Sequence, residues 1–432
     1  MSLTFLWTDI MVWLLFFSLL AWGKAISSSE QVKKQWKAIF KSSIAMISAI
    51  VLLFYFIFAL LDSVHFKKEN SIEMISLLDM AFEHRTSQTE RTYSAPFATV
   101  EYTKSIVTEN GISKQINVAL RHVKASNIFI VSSLAIVIGI FIALVFIFLH
   151  IWWRRVKGIK KVIPWHSAYV TFTIIITLLS WLYILSFDYH VLGTDKVGGD
   201  ILYQSLKSIR TGVLIGILTT LITLPIAIIL GVSAGLFRGW VDDVIQYIYT
   251  TLSSIPGVLL IAAGILAMQM IMDKHPTWFE STLERSDLRL LFLVFVLGIT
   301  SWTGLCRLLR AETLKISQIE FVTAAKAFGV SKFNIMRRHI VPNLMHIILI
   351  SIVLDFSMLV LSEAVLSYVG VGVDPSMYSW GNMINQARLE MAQEPMVWWS
   401  LFSAFVFMFI LVLAANVFSD RIQTVLDPRN NT

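Results

Sequence analysis

The chain of 432 residues is 56% hydrophobic and only 15% charged, with a mean hydropathy of +0.72, which excludes an ordinary water-soluble domain and makes lipid the solvent for much of it. A net charge of +7 would suggest nucleic acid in a soluble protein; in so apolar a chain it reads as basic loops that orient membrane helices, and no nucleic-acid partner is expected. The single cysteine, Cys306, at a predicted helix end, excludes an intrachain disulfide, and no GxxxxGK[ST], HExxH or CxxC run is present, so phosphate-loop chemistry and the common zinc signatures are absent.

The first apolar run, MSLTFLWTDIMVWLLFFSLLAWG, has Asp9 ahead of it and Lys24 behind. A cleaved signal peptide carries its basic residues first, so this order predicts a retained helix with its N-terminus outside. Crossing the hydrocarbon core takes roughly 20 apolar residues in a helix. Nine runs approach that length, near 5–22, 43–62, 127–151, 166–186, 209–236, 246–271, 289–306, 344–368 and 397–418.

The basic loops give the direction. Lys24, Lys33, Lys34, Lys37 and Lys41 lie between the first two helices. Arg154, Arg155, Lys157, Lys160 and Lys161 lie between the third and fourth, and Arg307, Arg310, Lys315, Lys326, Lys332, Arg337 and Arg338 between the seventh and eighth. The positive-inside rule puts these loops in the cytoplasm, the N-terminus outside and the C-terminus inside. All three clusters fall on one side of a nine-helix count, so the charge pattern and the count support each other.

The segment from about 63 to 126 is the largest extramembrane piece and falls outside. Its stretch SIEMISLLDMAFEHR, Ser71–Arg85, has apolar residues at helical spacing, which suits a small helical cap on the membrane domain or a docking surface for an external partner.

EFVTAAKAFGVSKFNIMRRHIVPN, Glu320–Asn343, is polar and basic between two apolar helices. It predicts a short helix, a break at Gly329 and a second helix stopped by Pro342. Ala324, Ala325 and Ala327 make one face small, so another surface can approach closely. Two readings fit: a loop that snorkels its lysines to headgroups, or a folded knob presented to a cytoplasmic partner.

Asp355 falls near the middle of the eighth helix, where a carboxylate needs a partner or a wet cavity. It either lines a solute path and meets a cationic group such as a peptide amine, or it bonds a neighbouring subunit or stays protonated. Glu363, nearer the outer end, is expected to hold the outer loop; Arg210, at the start of the fifth helix, either pairs with an acid or snorkels. Trp152, Trp153, Trp398 and Trp399 sit where interfacial aromatics do. Histidines such as His275, His339 and His346 lack metal-ligand spacing and no nucleophilic triad is evident, so neither catalytic nor metal residues are expected.

The Glu320–Asn343 run resembles the coupling segment, the EAA motif, of permease subunits of bacterial ABC importers, in particular the dipeptide/oligopeptide branch. Ser301–Gly329 resembles that branch's tryptophan, two arginines and EFVxAAxxxG core; Trp302, Arg307, Arg310, Glu320, Ala324, Ala325, Gly329, His339, Pro342 and Asn343 carry the match. Thr323 stands where many members have an acid. His190–Gly212 resembles the family's external segment through Gly193, Thr194, Asp195, Gly198, Asp200 and Arg210, with Gly199 in place of a usual arginine. Ser362–Ile384 resembles the outer loop after the fifth core helix through Glu363, Gly370, Gly372, Pro375, Ser379, Trp380 and Gly381, and the tail Val425–Arg429 also fits. The likeness covers about Asp188 to Arg429.

This resemblance implies an all-α polytopic protein of the bacterial inner membrane, with a six-helix permease core and about three extra helices. Residues 1–187 are expected to form an N-terminal membrane region, and 188–429 the core with its coupling loop at about 307–343. Lys33–Leu61 is similar to the first core helix, which makes the third and fourth helices an inserted hairpin; alternatively the fourth helix is the first of the core. The implied partners are membrane lipid, a second permease subunit, ATPase subunits and an external solute-binding protein. ATP and Mg belong on the ATPases, so this chain needs no cofactor and is not itself an enzyme. The ATPase-coupling residues implied are Glu320, Thr323, Ala324, Ala325, Gly329, His339 and Pro342; Asp195, Asp200, Arg210, Asp355 and Glu363 are outer-loop and path candidates. The solute implied is a peptide or a similar small molecule, such as a nickel chelate or a haem-like compound. A gradient-driven secondary transporter would show an internal repeat and paired broken helices, which are not evident; a membrane sensor or scaffold would work through the 63–126 segment.

Overall fold

The computed structural model describes residues 2–28, 30–67, 74–109, 112–124, 126–157, 164–279 and 281–426. Lys160, Lys161 and the end of the Val425–Arg429 tail lie outside them. Two compact units emerge, one of residues 1–212 with 378–418, the other of 213–377 with 419–432.

The first unit opens with β1 (Ser2–Thr4), α1 (Trp7–Ser28), the amphipathic α2 (Glu30–Ile39) and α3 (Ser43–Asp62). β2 (His65–Lys67) pairs antiparallel with β1 on one side and β3 (Met74–Ser76) on the other, with Phe66 opposite Leu3 and Ile75. Two short helices follow, α4 (Leu77–Ala81) and α5 (Glu83–Thr86). Ser76 starts α4 through a capping box: its hydroxyl accepts from the Asp79 N–H, and the Asp79 carboxylate accepts from the Ser76 N–H. The helical cap predicted over Ser71–Arg85 is therefore a strand and two short helices from Met74 on; Ser71, Ile72 and Glu73 lie outside the described residues. β4 (Ser105–Glu109) and β5 (Ile112–Ile116) form a hairpin with Val107 opposite Lys114.

α6 (Ile128–Val156) and α7 (Trp165–Leu185) form a long helical hairpin. Apolar burial does not drive helices together in lipid, so close packing must hold such a pair. Ala135, Gly139 and Ala143 supply it on one face of α6; a Cβ at Gly139 would lie 2.7 Å from Thr177 Cα. α3 meets α7, and the Tyr55 hydroxyl of α3 donates to the Phe407 carbonyl at 2.7 Å. Trp152, Trp153 and Trp398 are exposed, as interfacial aromatics would be. Trp399 is instead buried, and its indole donates to the Thr194 carbonyl at 3.0 Å.

The remaining helices are α8 (Ile201–Phe237), α9 (Trp240–Ser254), α10 (Gly257–Lys274), α11 (Thr282–Ile316), α12 (Glu320–Ala327), α13 (Lys332–Ile335), α14 (Val341–Tyr368), α15 (Trp380–Glu390) and α16 (Trp399–Leu426). The predicted sixth helix is two, because Ile255, directly before Pro256, is forced extended (φ −90°, ψ 131°). α11 outruns its apolar stretch at both ends, which puts Cys306 inside the helix rather than at its end. Pro342 does not stop the second knob helix. A π-helical turn at Met336–Ile340 carries the chain into α14, with Pro342 in its first turn, where its missing N–H costs least.

Among the described residues eight helices are long and apolar enough to cross a membrane: α3, α6, α7, α8, α10, α11, Lys332–Tyr368 and Trp399–Val425. The described apolar part of α1, Trp7–Ser18, is shorter. The chain is an all-α polytopic membrane protein, with short strands before α1 and between α3 and α6.

Candidate functional site

The knob is built from the end of α11 to the start of α14, within the second unit. α12 turns two faces to different surroundings. Val322 is fully buried, with Ile335 and Ile340 beyond the glycine break, in a cluster with Trp302, Leu305 and Leu344. Glu320, Thr323 and Ala324 are exposed, and Phe328 is 87% exposed. The helix ends in a Schellman motif: Val330 N–H bonds the Ala325 carbonyl at 3.1 Å and Gly329 N–H the Lys326 carbonyl at 3.0 Å. Gly329 sits at φ +76°, the left-handed conformation the motif requires, with open space around it. The loop is fastened at several points. Lys326 Nζ donates to the Ser317 carbonyl at 3.3 Å, Lys332 Nζ lies 5.2 Å from the Phe237 ring centre, and His339 faces Phe321 with ring centres 6.1 Å apart. Thr323 bonds the Glu320 carbonyl of its own helix at 2.9 Å. Asn343 Nδ2 donates to the His339 carbonyl at 2.6 Å, one turn back across Pro342.

The two arginines of the motif hold α11 against α9. Arg310 forks onto Asp242, with Nε to Oδ1 at 2.5 Å and Nη2 to Oδ2 at 2.7 Å. These bonds hold the Asp242 carboxyl below the usual range, against a smaller opposing effect of burial. Arg307 stacks over the Tyr249 ring at 5.6 Å.

Three of the outer-loop and path candidates lie in the first unit, each with its polar atoms engaged. Asp195 organises a turn: Oδ1 accepts from Val197 N–H at 3.0 Å and Gly199 N–H at 2.7 Å, and Oδ2 from Gln204 Nε2 at 2.6 Å. A Cβ at Gly199 would press to 2.8 Å from Gln204 Nε2, so a side chain there would disturb that bond. Asp200 starts α8, accepting from Tyr203 N–H at 3.0 Å while its other oxygen bonds His190 Nδ1 at 2.8 Å. Arg210 pairs rather than snorkels. Its Nη2 reaches Asp9 Oδ1 and Thr8 Oγ1, both at 2.6 Å, and its Nε reaches Ser63 Oγ at 3.2 Å.

Two candidates belong to α14 in the second unit. Glu363 is buried and accepts from Ser367 Oγ at 2.8 Å. The helix closes with a second Schellman motif at Gly370 (φ +85°), after which Gly372 lies so near Ser367 that a Cβ would fall 2.0 Å from its hydroxyl. Arg289 then holds Asp374 at 3.1 Å. Burial alone would raise the Asp374 carboxyl; bonds from Ser376 and the Arg289 charge outweigh it and lower it. Asp355, two turns from Glu363, lies apart from this arrangement and lines a cavity of about 420 Å³.

Sequence reasoning missed Asp9 as the partner of Arg210, Asp242 as the partner of Arg310, and Phe328 as the most exposed large apolar side chain of the knob. The Phe321, Ala324, Phe328 spacing of three and seven residues groups them on one face, but apolar periodicity by itself turns such a face inward. The acids carry no such signal, since each partner is distant in sequence.

The family model described as the binding-protein-dependent transport system inner membrane component matches residues 227–432. The glutathione transport system permease protein GsiD of Pectobacterium atrosepticum is 31% identical over 240 residues, 56% of this chain and 73% of that protein. The dipeptide transport system permease protein DppC of Bacillus subtilis is 29% identical over 56% of this chain and 69% of its own length. The oligopeptide transport system permease protein OppC of Mycobacterium tuberculosis is 30% identical over 56% and 77%. Among solved structures, an inward-facing form of the MetNI methionine ABC transporter aligns with 52% of this chain and 97% of its own, at 15% identity and a TM-score of 0.40.

Proposed function

The chain belongs to the family of binding-protein-dependent transport system inner membrane components, and from that premise we propose that it is a permease subunit of an ABC importer that moves peptides or a similar small solute into the cytoplasm. A second permease subunit completes the path. ATPase subunits carrying ATP and Mg dock on the Glu320–Asn343 knob, and a soluble binding protein delivers solute outside. The glutathione, dipeptide and oligopeptide relatives support a peptide as solute.

The observation that carries this reading is the two-faced knob. Val322 and Ile335 are buried in the helical core while Phe328 and Phe333 are 87% and 62% exposed, so a surface pressing on the exposed face moves helices rather than a slack loop. In this reading nucleotide binding draws the ATPases together, the knob follows, and α11 and α14 carry the movement into alternating access. The nucleotide shifts this equilibrium only by its differential affinity for the two states. In this reading the knob lies in the cytoplasm, the N-terminus outside and the C-terminus inside, an orientation the basic loops support. On the same reading α3 serves as the first core helix and residues 188–429 form the rest of the permease core; the remainder of 1–187 adds helices and the 63–126 external segment, and the α6–α7 hairpin is an insertion that keeps later helices pointing the right way.

Mild-detergent purification of the tagged chain tests the proposal. Recovery of an ATPase and a second permease of similar length is the expected result. Recovery of the chain alone, even after crosslinking in cells, would overturn it and redirect the work to gradient-driven transport.

A further inference from the structure

The cavity beside Asp355 is walled by the second unit alone, and its polar lining is unusual in kind. Asp355 Oδ2 is buried without a hydrogen-bond partner among the described residues. Thr223 commits its hydroxyl hydrogen to the Gly298 carbonyl at 3.3 Å, and Ser362 commits its own to the Met358 carbonyl at 2.8 Å. Both can therefore offer the cavity only lone pairs. Ser301 and Ser351 add two hydroxyls that can accept as well as donate, and Gly304, Leu305, Leu308, Met358 and Leu359 make up the apolar remainder of the wall. Among the described residues no lysine, arginine or histidine lines the space. A half-apolar cavity whose one charged group is a carboxylate, with hydroxyls able to accept, suits an occupant that is positive, donates hydrogen bonds and carries an apolar body.

The lining narrows the class further. Among the described residues no aromatic ring lines the cavity, so a quaternary ammonium finds no cage. One carboxylate with scattered hydroxyls falls short of the oxygen set that a divalent cation demands. A primary ammonium, with three donors and one charge, needs only the carboxylate and one or two of these hydroxyls.

We propose that this cavity is a solute subsite that binds a primary ammonium group, such as the amino terminus or a lysine side chain of a peptide. As a step in transport it rests on the permease reading above; as a cation site it stands on the cavity alone.

The test places a reporter in the cavity wall. In the complex purified with its partners, Ser301→Cys is labelled with aminoethyl methanethiosulfonate, a primary ammonium, and with the neutral ethyl reagent. The native thiol of Cys306 is fully buried and gives a low background. The cationic reagent is expected to react about tenfold faster, with the preference lost in Asp355→Asn and kept in Asp355→Glu. Ser362→Cys serves as a second reporter should the first variant fold poorly. Equal rates for the two reagents, or a preference untouched by Asp355→Asn, would overturn the site. So would a reporter that reacts in the isolated chain but is shielded in the complex, since another subunit would then cover the carboxylate. ATP-driven uptake of trialanine by the same complex in vesicles is read separately, and Asp355→Asn is expected to lower it about tenfold. A charge preference that persists with no ATP-driven uptake would sink the permease reading and the solute role while leaving the cation site.

Discussion

Arg210 on α8 and Asp9 on α1 meet at 2.6 Å, and both are buried, with the Asp9 side chain fully so. Asp9 also bonds His65 Nδ1 at 2.8 Å and the Leu6 N–H at 3.1 Å. The N-terminal helix is thus held to the family-like part of the chain through charge as well as packing. Removing one member of a buried pair strands the other. Asp9→Ala is expected to cost about 3–5 kcal/mol and to lower the melting temperature in detergent sharply, whereas Asp9→Leu with Arg210→Met should cost less than either single change. A negligible cost for Asp9→Ala would show that α1 is held by packing alone, and a double variant no better than Asp9→Ala would place the cost in the lost bonds rather than in a stranded Arg210 charge.

Gly329 is the position where conformation, not space, decides. A Cβ there meets nothing within 4 Å, yet φ is +76°. Gly329→Val is expected to cost about 1–3 kcal/mol of local strain while leaving membrane insertion intact, because Val322 and Ile335 still anchor the knob. On the importer reading, ATPase activity in the purified complex would then lose its stimulation by solute-loaded binding protein. Gly329→Asn, which tolerates the left-handed region, should retain more of it. Full stimulation in Gly329→Val would count against a coupling role.

The Arg310–Asp242 pair is partly open to solvent, at 23% and 13% side-chain exposure, which limits it to about 1 kcal/mol. Because its bonds with Arg310 lower the folded carboxyl, the stability it adds is fully present above the ordinary carboxylate pKa of about 4 and is lost as pH falls through the lower folded value. Asp242→Asn should therefore flatten the acid limb of a melting-temperature curve below about pH 4 and lower the plateau slightly between pH 5 and 8. An unchanged acid limb would show that other carboxylates govern it.

Most membrane helices were legible from apolar runs because lipid leaves the backbone little choice but to bond within itself. What escaped was polar. The first turns of α8 hold Gln204, Ser205, Ser208 and Arg210, all buried and bonded inside the chain, so the helix begins eight residues before its apolar run. Pro342 reads as a stop in any sequence, and only the π-helical turn before it lets the helix continue. On the knob, motif and periodicity located α12 and its break, but whether Phe328 faces in or out depends on the distant residues that bury Val322.

That division between Val322 and Phe328 gives the sharpest separation of fold from function. Val322 is fully buried beside Trp302 and Leu344, so Val322→Ala leaves a cavity and is expected to cost about 1–3 kcal/mol, seen as a lower melting temperature of the chain in detergent. Phe328 is 87% exposed, so Phe328→Ala should leave that temperature within the spread of ordinary surface changes, about 0.5 kcal/mol. If the knob is where the ATPase docks, Phe328→Ala weakens co-purification of the ATPase at least fivefold by loss of a central aromatic anchor. An ATPase recovered in full with Phe328→Ala, and lost only with Val322→Ala, would mean that the partner reads the fold of the knob elsewhere than on its exposed aromatic face.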